Sequence, residues 1–168
     1  MKSDLVVKCK KIKLVLTDVD GVLTDGGMYY SQKGDVLKKF YVRDGMGVTL
    51  LRKSNIHTVI VTKEKNEMIR QWAKKMKIKK LYDGVMNKES IISKVCEYFG
   101  VVPTQIAYIG DDVNDVGLLK KVGLSAVPND GIKEVKSICD YICKNNGGKG
   151  AFRELVDLIL LTQKIIAE

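Results

Sequence analysis

Histidine is almost missing from this chain. His57 is the only one in 168 residues, it enters an apolar segment, and no serine or cysteine nucleophile motif accompanies it. Hydrolysis built on an imidazole base is therefore excluded. Cysteine is scarce too. Among Cys9, Cys96, Cys139 and Cys143 the one close pair has three residues between its members, with no second pair or histidine cluster near it, which argues against zinc. No apolar run reaches membrane length, and the opening Met-Lys-Ser-Asp-Leu-Val-Val-Lys is too short in apolar residues for a secretion signal. The expectation is a protein with reduced thiols that works in a cytoplasm, away from membranes. Internal repeats and low-complexity tracts are absent as well.

Lysine, by contrast, is plentiful. Lys+Arg of 29 against Asp+Glu of 20 gives a formal charge of +9, a field that attracts anions. The lysines are scattered over 8–13, 33–39, 74–80 and 144–149 with no interleaved aromatics, so they read as a solvated surface and not as a nucleic-acid stripe. With 45% apolar residues, the composition is that of one globular domain with a substantial core. A loose lead-in over 1–11 precedes a domain over 12–168.

The chemistry centres on Lys13 to Gly26. An apolar run, Leu14-Val15-Leu16, ends in Asp18 and Asp20, then Gly21. The run is too short for a helix and reads as a buried strand. If the chain turns at Gly21, both carboxylates face one crevice, one suited to nucleophilic attack and the other to acid/base work. An acidic turn after a strand is the bland alternative.

Other segments deliver groups to the same rim. Residues 27–42 read as a hairpin around the polar turn Ser31-Gln32-Lys33-Gly34-Asp35, a partial lid beside the active end of the sheet. A helix opens near Arg43-Asp44-Gly45 with Asp44 as candidate N-cap. Ile56 to Thr62 is a second buried strand ending in a hydroxyl, and Met68, Ile69, Trp72 and Met76 mark a helix core face. Lys88 stands in the first turn of a helix over 87–99, a poor place for a cation unless an anion binds there. Gln105 to Ile109 forms a strand followed by Asp111, Asp112 and Asp115, whose mutual repulsion a cation would relieve. Alternating strands and helices imply a parallel sheet covered on both faces.

Four segments, Asp18-Val19-Asp20-Gly21, Thr62, Lys88 and Gly110-Asp111-Asp112-Val113-Asn114-Asp115, resemble in order and spacing the signatures of the haloacid dehalogenase superfamily of phosphotransferases. Within it the chain is most similar to the capless phosphatases of 2-keto-3-deoxy sugar acids, which act on Kdo 8-phosphate or on sialic-acid-type (KDN, N-acylneuraminate) 9-phosphates. Arg43-Asp44-Gly45-Met46-Gly47 and Gly147-Gly148-Lys149-Gly150-Ala151-Phe152-Arg153-Glu154 share in that likeness.

The resemblance implies a Rossmann-like doubly wound α/β fold without a cap domain and a homotetramer. It implies an aspartyl-phosphate on Asp18, acid/base action by Asp20, and phosphoryl contacts from Thr62 and Lys88. Mg²⁺ would lie among Asp18, the backbone carbonyl of Asp20 and Asp111, with Asp112 supporting its shell. Asp115 would orient Lys88 or a metal-bound water, and Glu64, Arg70 and Lys75 would touch substrate. Glu64 in Thr62-Lys63-Glu64-Lys65 favours a nine-carbon substrate, whereas Arg43-Asp44-Gly45 favours the eight-carbon one. In that family the C-terminal segment can approach a neighbouring active site; Gly147 to Arg153 matches it, and its glycines would allow close approach to ligand, or alternatively only separate two elements. A signalling receiver, which also has an acidic Mg²⁺ pocket, is disfavoured by Asp20, because an acid/base beside the nucleophile speeds loss of the phosphoryl group. A non-catalytic oligomerisation domain and a nucleic-acid phosphatase stand as alternatives.

Overall fold

The computed structural model describes residues 3–163. Along the chain run α1 (Ser3–Lys11), β1 (Leu14–Thr17), β2 (Tyr29–Ser31), β3 (Gly34–Leu37), α2 (Val42–Lys53), β4 (His57–Val61), α3 (Glu67–Lys75) and β5 (Lys80–Tyr82). A 3₁₀ turn over Lys88–Ile91 then leads into α4 (Ile92–Phe99), followed by β6 (Ile106–Ile109), a second 3₁₀ turn over Val113–Asp115 and α5 (Val116–Leu119). The chain closes with β7 (Leu124–Val127), α6 (Lys133–Ile138), β8 (Tyr141–Ile142) and α7 (Ala151–Thr162).

Six strands form one parallel sheet in the order β5-β4-β1-β6-β7-β8. β1 is central, with Leu16 opposite Val59 on one side and Tyr108 on the other. A strand flanked by strands and covered on both faces has no polar side, which is why β1, β6 and β7 are buried throughout. Successive side chains still divide between two cores. Val15, Ile60, Ala107 and Ile109 pack with α1, α2, α3 and α7, while Leu14, Leu16, Val59, Val61 and Tyr108 pack with α4, α5 and α6. In α7 the buried Phe152, Leu155, Val156, Ile159 and Leu160 make one helical stripe. The order of connection reverses between β1 and β6, and ligands in such sheets bind beyond the carboxyl ends at that point. Among the described residues no helix is long and apolar enough to cross a membrane.

Several expectations need correction. The lead-in is not loose: Ser3–Lys11 is helical, Cys9 is fully buried, and Leu5 packs against the core. Gln163 Nε2 donates to the carbonyls of Cys9 (2.8 Å) and Ile12 (2.9 Å), tying the end of α7 to this helix. The apolar positions of α1 are few and lie among lysines, so in sequence they look like a charged tail.

The hairpin pairs only over Tyr29–Ser31 and Gly34–Leu37, with an irregularity between Tyr29 and Tyr30, and Val42 already belongs to α2. Tyr41, not Asp44, occupies the N-cap position of α2 and makes no side-chain cap. Asp44 turns inward, is fully buried, and accepts a hydrogen bond from Arg153 N in the first turn of α7 at 2.8 Å. Burial pushes its carboxyl up to about 6, against the pull of backbone donors including Arg153 N.

Because Asp44 carries a contact between α2 and α7, Asp44→Ala should destabilise the protein by about 1–3 kcal/mol. Asp44→Asn keeps an acceptor for Arg153 N and should cost under about 1 kcal/mol. Urea unfolding of the two variants checks the difference, and equal losses would assign Asp44 no hydrogen-bonding role.

Candidate active site

β1 ends at Thr17, and Asp18 N donates to Ile109 O at 3.1 Å, which aligns the first turn beyond β1 with the end of β6. The chain then folds tightly: the amides of Val22, Leu23 and Thr24 all point at Val19 O, 2.8–3.2 Å away. Gly21 has φ +82°, and a Cβ there would stand 2.1 Å from Asp111 Oδ2. Only glycine meets both demands, so the turn expected at Gly21 is also what lets Asp111 approach Asp18.

The buried charges form one network. Lys88, fully buried, places Nζ 2.8 Å from Asp18 Oδ2 and 2.6 Å from Asp115 Oδ1. Asp115 also receives the Tyr108 hydroxyl on Oδ1 and the amides of Asp111 (2.9 Å) and Asp112 (3.3 Å) on Oδ2. Four donors therefore occupy Asp115, which makes it an anchor for Lys88 and for the loop after β6.

Burial pushes the Asp18 carboxyl up to about 7, opposed by the Lys88 ammonium and reinforced by Asp115. Burial, with Asp18 and Asp115 beside it, pushes Asp111 up to about 8. Burial pulls the Lys88 ammonium down, but its two carboxylates outweigh this and hold it above its ordinary value. Burial and the neighbouring acids drive the Tyr108 phenol well up, so it stays a donor.

Oxygen ligands from Asp18, Asp111 and Asp115 lie within 4.8 Å of one another. Three carboxyl groups against one lysine make an oxygen-only set that suits a hard divalent cation, whose charge would favour their ionised forms. Since Asp115 is spent on donors, Asp18 and Asp111 are the carboxylates that remain for such an ion. Asp112 is exposed, and its Oδ1 accepts Val113 N at 2.7 Å.

Asp18, Asp20, Thr62, Glu64, Asp111 and Asp112 line a cleft of about 550 Å³ at the carboxyl ends of β1, β4 and β6. Thr62 is fixed by backbone bonds to Tyr82 O and Val85 N, and its hydroxyl accepts Glu64 N at 3.3 Å. Arg70 and Lys75 are not in this cleft. Arg70 pairs with Asp83 at 2.7 Å, and Lys75 borders a separate apolar groove with Phe40, Met46 and Trp72. The glycines near 147 approach the turn after β1: a Cβ on Gly147 would stand 1.9 Å from Gly21 O, and Gly148 N donates to Val22 O at 2.9 Å.

Sequence reasoning missed Lys38 and Tyr108. Tyr108 looked like one more apolar strand residue, although a tyrosine in a wholly buried strand generally signals a partner for its hydroxyl. Lys38 sits just after β3 with a nearly fully buried side chain, its Nζ 2.7 Å from Asp20 Oδ1 and 2.9 Å from Glu64 Oε2. Burial lowers its ammonium, and Asp20 and Glu64 together raise it past its ordinary value. Nothing in Leu37-Lys38-Lys39 distinguishes it from a surface lysine.

A family model for haloacid dehalogenase-like hydrolases matches residues 52–155. The 3-deoxy-D-manno-octulosonate 8-phosphate phosphatase KdsC of Escherichia coli (strain K12) is 37% identical over 163 residues, covering 97% of this chain and 87% of that protein. The crystal structure of the corresponding phosphatase from Moraxella catarrhalis, in complex with magnesium ion, phosphate ion and KDO, matches with TM-score 0.94 and 34% identity, covering 98% of this chain and 94% of that one. The cobalt-bound form of the Haemophilus influenzae phosphatase matches with TM-score 0.91 and 38% identity, over 94% and 92% of the two chains. The likeness in sequence and in fold extends along almost the whole chain, which belongs to the haloacid dehalogenase-like hydrolases, in the capless branch that includes the KdsC phosphatases.

Proposed function

We propose that the protein removes the terminal phosphate from a 2-keto-3-deoxy sugar acid, with Kdo 8-phosphate as substrate. Hydrolysis of a phosphomonoester is supported above all by one observation: Asp18 sits at the floor of the cleft with its Oδ2 2.8 Å from the buried Lys88. The eight-carbon substrate is supported by similarity to KdsC phosphatases across 97% of the chain. That similarity outweighs the nine-carbon signal of Glu64.

In this reading a carboxylate oxygen of Asp18 attacks phosphorus as the bond to the sugar oxygen breaks, and Asp20 gives its proton to that oxygen. Asp20 then takes a proton from water, which attacks phosphorus, breaks the Asp18–phosphorus bond and releases inorganic phosphate. Lys88 and the Thr62 hydroxyl hold the phosphoryl oxygens. A divalent cation, Mg²⁺ in our reading, would be held by Asp18, Asp111 and the backbone carbonyl of Asp20, and would neutralise charge on the phosphoryl group. Asp112, already capping Val113, would support that site from the rim. Asp115 acts through Lys88.

Arg70 and Lys75, which face away from this cleft, would touch substrate only by facing the cleft of a neighbouring protomer. A homotetramer would provide that arrangement. The exposed Met28, Tyr29, Tyr30, Val36 and Leu37 of the hairpin form an apolar face for such an assembly. Its four cysteines are free thiols, in keeping with work in a reducing cytoplasm.

The test is phosphate release with Mg²⁺ from Kdo 8-phosphate, KDN 9-phosphate, N-acetylneuraminate 9-phosphate, hexose phosphates and a phosphorylated oligonucleotide. Kdo 8-phosphate should show the highest kcat/KM. A nine-carbon substrate in the lead would return the assignment to Glu64, and inactivity on every compound would leave the non-catalytic oligomerisation domain as the better reading.

A further inference from the structure

We propose that Lys38 is a positioning residue for the reaction: one buried ammonium that holds the carboxylates of Asp20 and Glu64 and keeps the acid/base aimed into the cleft. The proposal rests on the reading of Asp20 as the acid/base.

Lys38 is not among the residues that line the cleft, and its side chain is 2% exposed. Its ammonium is engaged by Asp20 and Glu64, which do line the cleft, and its influence on the substrate passes through them. Burying an ammonium costs free energy unless opposite charge accompanies it, and three carboxylates surround this one. Asp20 and Glu64 lie within 3 Å, and Asp35 Oδ2 stands 3.9 Å away.

The contact with Asp20 is specific to one oxygen. Oδ1 accepts from Lys38 Nζ at 2.7 Å and from the Thr24 hydroxyl at 3.2 Å. Among the described residues no hydrogen bond reaches Oδ2. A carboxylate pinned through one oxygen presents the other, and Oδ2 is the atom left to carry the proton.

The position of Lys38 in the chain extends the argument. It immediately follows β3, whose Asp35 accepts from Asn66 Nδ2 at 3.3 Å, and Asn66 in turn caps α3 by accepting Met68 N at 2.9 Å. The base of the hairpin is thereby fastened to the turn after β1 and to the loop after β4. Lys38 is the one side chain in that base that reaches both Asp20 and Glu64. Glu64 Oε2 and Asp35 Oδ1 are buried without a hydrogen bond of good geometry among the described residues. The ammonium is thus the main compensation for charge on this side of the cleft.

A lysine with a purely structural role and one that positions the acid differ in how they respond to the leaving group. Single-turnover release of the sugar from Kdo 8-phosphate requires protonation of an alkoxide, whereas 4-nitrophenolate leaves 4-nitrophenyl phosphate without it. With Mg²⁺ present, Lys38→Met should slow the first by about 100-fold and the second by less than about 5-fold. KM for the sugar phosphate should change little, and Lys38→Arg should recover part of the loss. In an Asp20→Asn background, Lys38→Met should cost nothing further on the sugar phosphate.

Equal losses on both substrates, or losses that add in the double variant, would overturn the proposal. Asp20→Asn alone separates this from the reading beneath it. If that variant slows both substrates equally, Asp20 is not the acid and the proposal falls with that assignment. If Asp20→Asn is selective for the sugar phosphate and Lys38→Met is not, the role of Lys38 alone is refuted. Should Lys38→Met fail to fold, Lys38→Gln, which keeps a donor, carries the same comparison with the same two outcomes.

Discussion

Asp18→Asn should leave a folded protein that no longer hydrolyses its substrate, with turnover down by about 10⁴-fold or more. An amide cannot form the acyl phosphate, and among the described residues no other carboxylate is placed to take its role. Asp115 is saturated by four donors, and Asp20 Oδ1 is held by Lys38 and Thr24. Asp111, a further acid in the cleft, holds the cation in the proposed mechanism.

The fold should survive the change because opposing effects are removed together. The substituted amide loses the attraction of Lys88 but also the burial cost and the repulsion from Asp115 that push the Asp18 carboxyl up. Lys88 keeps Asp115 as a partner at 2.6 Å. Acid-quenched mass spectrometry supplies the direct check: wild type mixed with substrate should show a phosphoryl adduct on Asp18, and the variant none. An adduct in the variant, or turnover within a few-fold of wild type, would place the nucleophile elsewhere.

Lys88→Met should have the largest effect on stability. It removes the cation that, alone among the described residues, pairs with two buried carboxylates, Asp18 and Asp115, while keeping most of the side-chain volume. Breaking a buried ion pair by deleting one partner costs about 3–5 kcal/mol, because a charge is left uncompensated.

The cost depends on pH in a direction that can be worked out. Without Lys88 the folded-state Asp18 carboxyl loses the attraction that opposes burial and lies further above its unfolded value, so the folded protein binds a proton that the unfolded chain has released. Protonation stabilises the folded variant below that raised folded-state value, and this stabilisation is lost as pH rises through it. For Asp18 that value is already about 7 with the lysine in place. Denaturant unfolding of metal-free protein should therefore show the full loss near pH 8.5 and a much smaller one near pH 5. Turnover should fall as well, by about 10²–10³-fold, since the phosphoryl charge loses its buried counter-ion. A loss independent of pH would mean that the methionine simply packs badly.

The fold class was legible in the chain alone, because its evidence is local and periodic. Short apolar runs at β1, β4, β6 and β7, each followed by polar turn chemistry, leave few alternatives to a parallel sheet covered on both faces. The stripe of α7 was legible for the same reason. The Asp-x-Asp-Gly turn, Thr62, Lys88 and the acidic run after β6 could be found because each lies at a strand end or a helix start, where its residue type is out of keeping with a plain structural role.

Which charges are shared emerges only in three dimensions. Lys38 and Asp20 are 18 residues apart, Lys88 and Asp115 are 27 apart, and Arg153 N and Asp44 are 109 apart. In each case the partners lie on different elements with turns and other elements between them, so no periodic reading of one segment could join them. Asp44 looked like a cap because caps and buried acceptors use the same residue type at the same place in a helix. Helix α1 looked like a tail because its few apolar side chains acquire meaning only against the sheet and α7. Propensity and pattern report what a segment can bury, whereas the partner that makes burial favourable lies elsewhere in the chain and is chosen by packing.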